Sequence, residues 1–152
     1  MIYVVLLVQR KGEQRDTFTV RRQGQTNTPI NSLLWLLNFE TSVRQPGGLE
    51  SLLDKSVAAN PEVAFRVTHK LGGEGWVVDN YVLQTTQPFS MEARTDPWAA
   101  HLLATAASGT HTLREVVDLL KEQEVLPAQL PPAEFAQAAA VLISGGFLRV
   151  EQ

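Results

Sequence analysis

From Asp96 onward the sequence is divided by helix-boundary residues into three short helical stretches, and this punctuation constrains the fold more than any other feature of the chain. Asp96 suits an N-cap with Pro97 at the first helical position, and Trp98, Leu102, Leu103 and Ala106 form an apolar stripe that ends at Ser108-Gly109. Thr112 and Glu115 have the spacing of a capping box, in which hydroxyl and carboxylate satisfy opposite backbone donors, and Leu113, Val116, Val117 and Leu120 then share one face. After Leu130-Pro131-Pro132, the residues Phe135, Ala138, Ala139, Leu142 and Ile143 mark a third helix, Ala133 to Ser144, closed by Gly145-Gly146 and followed by the β run Phe147–Val150. That helix contains no Arg or Lys. It is expected to pack on both sides or to face a partner protein.

Upstream the pattern is mixed. Two β runs, Ile2–Gln9 and Thr17–Arg22, flank a polar stretch and read as a hairpin. Thr28 as cap, Pro29 at the first helical position and the repeat Ile30, Leu33, Leu34, Leu37 predict a helix, with Trp35 off that stripe and packed on a neighbouring element. Leu49, Leu52, Leu53 and Val57 predict a second, stopped at Asn60-Pro61. The clearest hairpin signal is Val63–Lys70 and Trp76–Thr85 around Leu71-Gly72-Gly73-Glu74-Gly75. A glycine-rich phosphate loop leads from a strand into a helix, and here a second strand follows, so the turn reading is preferred. A further short strand is expected within Phe89–Ala93. The fold class is therefore α+β: N-terminal antiparallel strands with two helices, then a three-helix C-terminal module, with a boundary near Gln87-Pro88 that separates 1–87 from 88–152.

Composition narrows the function. There is no cysteine, which removes thiolate zinc sites, disulfides and a cysteine nucleophile and suits a reducing compartment, so the cytoplasm is expected. The apolar run Ile2–Val8 is short, lacks a preceding basic region and is followed by Arg10 and Lys11, so neither a secretory signal nor a membrane span is expected. The net charge of −3 is uneven: residues 1–87 carry nine Lys/Arg against eight Asp/Glu, and residues 88–152 carry four against eight. DNA-binding modules gain affinity by neutralising phosphates, and the C-terminal module has the wrong sign for that.

Three helices with a terminal β segment and a preceding strand look like a winged-helix domain. The stretch Leu102 to Val117, with its small-residue-glycine step and its Thr cap, together with the closing Gly146-Phe147-Leu148, resembles PqqD-like peptide chaperones and winged-helix modules appended to some bacterial oxygenases and methyltransferases. The resemblance covers roughly residues 75–150. PqqD-like proteins are shorter, and the loop Glu122–Pro132 is long and proline-rich here. The resemblance implies a style of binding in which Tyr81, Leu83, Phe135 and Leu142 would contact a protein or peptide partner; core packing is the competing role for all four.

Chemistry-bearing constellations are sparse. His69, His101 and His111 are too scattered for a zinc site, so no metal and no cofactor is expected. Ser108, Thr110 and His111 sit at a helix boundary, where capping accounts for them. Glu115, Asp118, Glu122 and Glu124 read as a solvated face. Arg21 and Arg22, with Arg10, Lys11 and Arg15, are the one basic concentration and the candidate nucleic-acid contact, diluted by Glu13 and Asp16. The leading reading is a non-enzymatic binding or accessory protein. Two alternatives stand beside it: a winged-helix transcriptional regulator, and a regulatory or substrate-recognition domain of a larger enzyme system.

Overall fold

A computed structural model describes residues 19, 20, 22 and 28–150. The described elements are α1 (Ile30–Val43), α2 (Gly48–Leu53), β1 (Val57–Ala59), β2 (Ala64–Gly72), β3 (Gly75–Thr85), β4 (Met91–Thr95), α3 (Trp98–Thr105) with a 3-10 turn at Ala106–Ser108, α4 (Leu113–Glu122), α5 (Pro132–Ser144) and β5 (Leu148–Val150). The chain is thus a mixed α+β protein with antiparallel sheets. The expected N-terminal hairpin lies outside the described residues except for Thr19, Val20 and Arg22, none of which is in a strand. The described strands follow α1 and α2 rather than preceding them, with β1 to β4 in the middle of the chain and β5 after α5.

The capping box forms as read. Glu115 N–H donates to Thr112 Oγ1 at 3.3 Å, and Thr112 N–H donates to Glu115 Oε2 at 2.7 Å. Thr112 N–H and, second, the Thr112 hydroxyl, which donates to the same Glu115 oxygen at 3.0 Å, hold the Glu115 carboxyl below its ordinary value of 4.5. A depressed acid contributes stability above its unfolded pKa and loses it as pH falls through the folded one. The carboxylate half of the box should therefore be fully effective at neutral pH and weaken as the pH falls below the ordinary carboxylate value toward the lower folded one. Thr112→Ala is expected to lower stability by about 1 kcal/mol at pH 7, and because the bond from Glu115 N–H to the hydroxyl does not titrate, urea unfolding should still place the variant below wild type at acid pH.

α5 ends in a Schellman arrangement: Gly146, at φ 80°, donates to Ile143 O, and Phe147 N–H donates to Leu142 O at 2.9 Å. Gly146 is needed in that left-handed position, where a Cβ would also press on Pro88 Cδ at 3.2 Å.

Four local expectations are corrected. Thr28 does not cap α1; its hydroxyl donates to the Pro88 carbonyl at 3.2 Å, and Pro29 holds the cap position. Asp96 likewise gives way to Pro97 as the residue before α3, which has no side-chain cap. The buried face of α1 is Leu36, Phe39 and Glu40, while Ile30 and Leu34 are exposed, because every position from Leu33 to Leu37 is apolar and the pattern does not single out one face. Trp35 stacks on Phe39 with centroids 5.5 Å apart. Val57 leaves the predicted second helix to become the first residue of β1. Val57 N–H donates to His111 O and Leu113 N–H donates to Lys55 O, and these two bonds draw the segment straight beside the start of α4.

Two sheets result. β1 pairs with β5 in antiparallel register from Val57↔Val150 to Ala59↔Leu148. β2, β3 and β4 form an antiparallel meander with β3 in the middle. One cluster of buried side chains includes Leu52, Val57 and Leu83 together with Leu102, Val116, Phe135, Ile143 and Leu148, so apolar burial runs continuously across Gln87. The alanines of α5 serve this closeness: Ala136 and Ala139 are fully buried.

Candidate interaction surface

The β2–β3 hairpin is longer than the sheet that supports it. β4 pairs only with Tyr81 to Thr85 of β3, so the hairpin from Thr68 around to Asn80 stands clear of β4. Cross-strand partners on one face are Phe65↔Leu83, Val67↔Tyr81, His69↔Val78 and Leu71↔Trp76, with a bulge after Thr68. That face begins in the core, where Leu83 is fully buried and the Phe65 ring lies 5.8 Å from that of Tyr81. It ends in solvent. Leu71 is 72% exposed and Trp76 73%, with Val67 and Val78 also exposed. An apolar ladder thus leaves the core and continues into water. The other face mixes polar groups with two valines: Arg66 bonds Gln84, Thr68 bonds Asn80, and Lys70 Nζ lies 2.9 Å from Asp79 Oδ1, while buried Val82 and exposed Val77 stand opposite Arg66 and Lys70.

The four side chains expected to form a binding groove are placed differently. Leu83, Phe135 and Leu142 belong to the buried core, and Phe135 packs a tilted ring against Trp98 at 5.9 Å. Tyr81 is only partly buried and joins the ladder. The exposed positions of α5 are Pro132, Ala133, Glu134, Gln137 and Val141, and Val141 is 67% exposed; none is a cation. Glu115, Asp118, Glu122 and Glu124 are all exposed, as a solvated face requires.

Arg21 lies outside the described residues. Arg22 is turned inward onto the end of α5: its guanidinium donates to the Ser144 carbonyl at 3.1 and 3.0 Å and to the Ser144 hydroxyl, and it lies 3.8 Å from Glu40 Oε1. The Ser144 hydroxyl donates to Glu40 Oε1, and Arg44 reaches Glu40 Oε2 at 3.1 Å. Burial lowers the Arg22 pKa, and the Glu40 charge works against that shift. These groups border a shallow groove of about 430 Å³ with Met91, Val141 and Phe147 on its apolar side. Chemically this is a fastening. The pattern was hidden in the sequence because Arg22, Glu40 and Ser144 come from distant segments.

A second polar centre escaped sequence reading altogether. Asn60, read as a helix stop, is buried and its amide donates to Gln87 O at 2.6 Å, Gly146 O at 2.7 Å and Thr85 Oγ1 at 3.3 Å. Its Oδ1 accepts from Glu62 N–H at 3.1 Å and Arg149 at 2.9 Å. One side chain ties three loops together.

Among the described residues no group of three or more His, Cys, Asp or Glu side chains is placed to hold a metal, and no helix is long and apolar enough to cross a membrane. No curated protein and no solved structure matches the chain. A family model does match, over residues 41–149, from the end of α1 through β5, and this span includes the hairpin, the Asn60 centre and all three C-terminal helices. On that match the chain belongs to the family described as Domain of unknown function (DUF7782).

Proposed function

We propose that this protein is a non-enzymatic binding or accessory module that holds a protein or peptide partner, with the projecting half of the β2–β3 hairpin as its contact surface. The observation that carries the reading is the apolar ladder ending at Leu71 and Trp76. Large apolar side chains grouped on a protruding element and left in water are characteristic of partner-binding sites, and a tryptophan in such a place is a common anchor. The winged-helix-like arrangement of α3, α4 and α5 belongs to the same reading, as the support from which the hairpin projects. A nucleic-acid partner has less support, since the exposed side of α5 carries no cation and Arg22 is engaged with Glu40 and Ser144.

The test is paired. Trp76→Ser, at an exposed position, is expected to change unfolding free energy by less than about 0.5 kcal/mol. In pull-downs from the source cells it should nevertheless lose a protein that the wild type retains. Identical retention by wild type and by a Leu71→Ser/Trp76→Ser double variant would remove the hairpin as the binding surface.

A further inference from the structure

We infer that the outer edge of β2 receives an extended acidic segment of the partner as an additional strand, one that alternates apolar residues with carboxylates. The inference rests on the binding reading above and assigns the partner's chemistry. Among the described residues β2 pairs with β3 alone, and within that set its other edge presents a row of backbone donors and acceptors. An added strand satisfies them and places its own side chains alternately on the two faces.

The side chains of β2 say which strand fits. Its Phe65, Val67, His69 and Leu71 face accepts apolar neighbours, continuing the ladder outward by one strand. Its other face carries Arg66 and Lys70, and β2 contains no carboxylate. Arg66 is met within the sheet by the neutral amide of Gln84, and Lys70, though paired with Asp79, remains 66% exposed. Arg94 of β4 shares this face, since Arg66 and Arg94 both stand opposite Val82, and Glu92, two residues earlier in β4, stands opposite Gln84. Carboxylates spaced four residues apart on an incoming strand meet Arg66 and Lys70 together.

The same charges disfavour a second copy of this chain. In the fully overlapped antiparallel register Phe65 stands opposite Leu71, but Arg66 stands opposite Lys70 twice, and directly opposed like charges destabilise a strand pair. A heterologous acidic strand turns both positions favourable.

The experiment uses the full chain and fluorescein-labelled octapeptides that alternate Val with Glu, alternate Val with Lys, or carry prolines at alternate positions of the Val-Glu peptide. The Val-Glu peptide should bind by anisotropy and slow amide exchange within residues 64–72, and the proline peptide should not bind. An Arg66→Glu/Lys70→Glu variant should bind the Val-Glu peptide roughly tenfold more weakly and gain the Val-Lys peptide. Arg66→Gln/Lys70→Gln, a milder change, should fall between the two. Equal binding of the Glu and Lys peptides, protection elsewhere than β2, or no binding at all would overturn the inference. In those cases the loss of a cellular partner on Trp76→Ser would leave the broader binding reading standing, so the two can fail separately.

Discussion

Phe135→Ala is expected to lower the free energy of unfolding by about 3–5 kcal/mol. Phe135 is 2% exposed, packs against Trp98 and sits among the buried side chains shared by all three C-terminal helices. Removing its ring deletes the transfer energy of the buried carbons and leaves a space that α5 is poorly able to fill, because its inward neighbours are the alanines at 136 and 139. Urea unfolding should show the loss as a lower midpoint with the slope unchanged. The contrast with Trp76→Ser is what makes the result informative. One aromatic should matter for stability and the other for binding; a Phe135→Ala protein of undiminished stability that had lost its partner would reverse those assignments.

Asn60→Ala should cost about 3 kcal/mol, although alanine removes little apolar contact. The amide of Asn60 supplies hydrogen bonds to the carbonyls of Gln87 and Gly146, and its oxygen receives Glu62 N–H and Arg149. Truncation leaves buried partners without a substitute, and each such group costs about 1–3 kcal/mol. Asn60→Asp separates the two halves of the side chain. It keeps the acceptor for Glu62 and Arg149 but turns a carboxylate toward two carbonyl oxygens, so it should not rescue stability at neutral pH. Recovery by Asp to the wild-type midpoint would show that the donor half is dispensable.

What could be read in advance, and what could not, divides along a physical line. Thr112 with Glu115, the Gly72–Gly75 turn and the Gly145-Gly146 stop are local statements, each complete within a few residues, and each is formed in the fold. Val57 was misplaced because its fate is decided by Val150 and His111, far along the chain. The buried side of α1 was misjudged for a related reason: Glu40, a charged residue, faces inward because Arg44, Arg22 and Ser144 meet it there. The candidate site shows the same division. The hairpin was legible, including Tyr81 at its root, but the solvent exposure of Leu71 and Trp76 depends on β4 stopping opposite Tyr81. Leu83, Phe135 and Leu142, for which partner contact and core packing compete in the sequence, are packed in the core, since apolar periodicity marks both roles alike.

The pairing of β1 with β5 also bears on how the protein comes into being. Ala59 and Leu148 are roughly ninety residues apart, and during synthesis the later one emerges on the order of ten seconds after the earlier. Through that interval the hairpin and the individual helices can form from neighbouring residues, but Val57 has no strand to lie against and Asn60 has no Gly146 carbonyl to bind. The apolar surface awaiting β5 is therefore exposed to chaperones and proteases until β5 leaves the ribosome, which makes the stretch from Gly146 to Val150 the latch of the described fold.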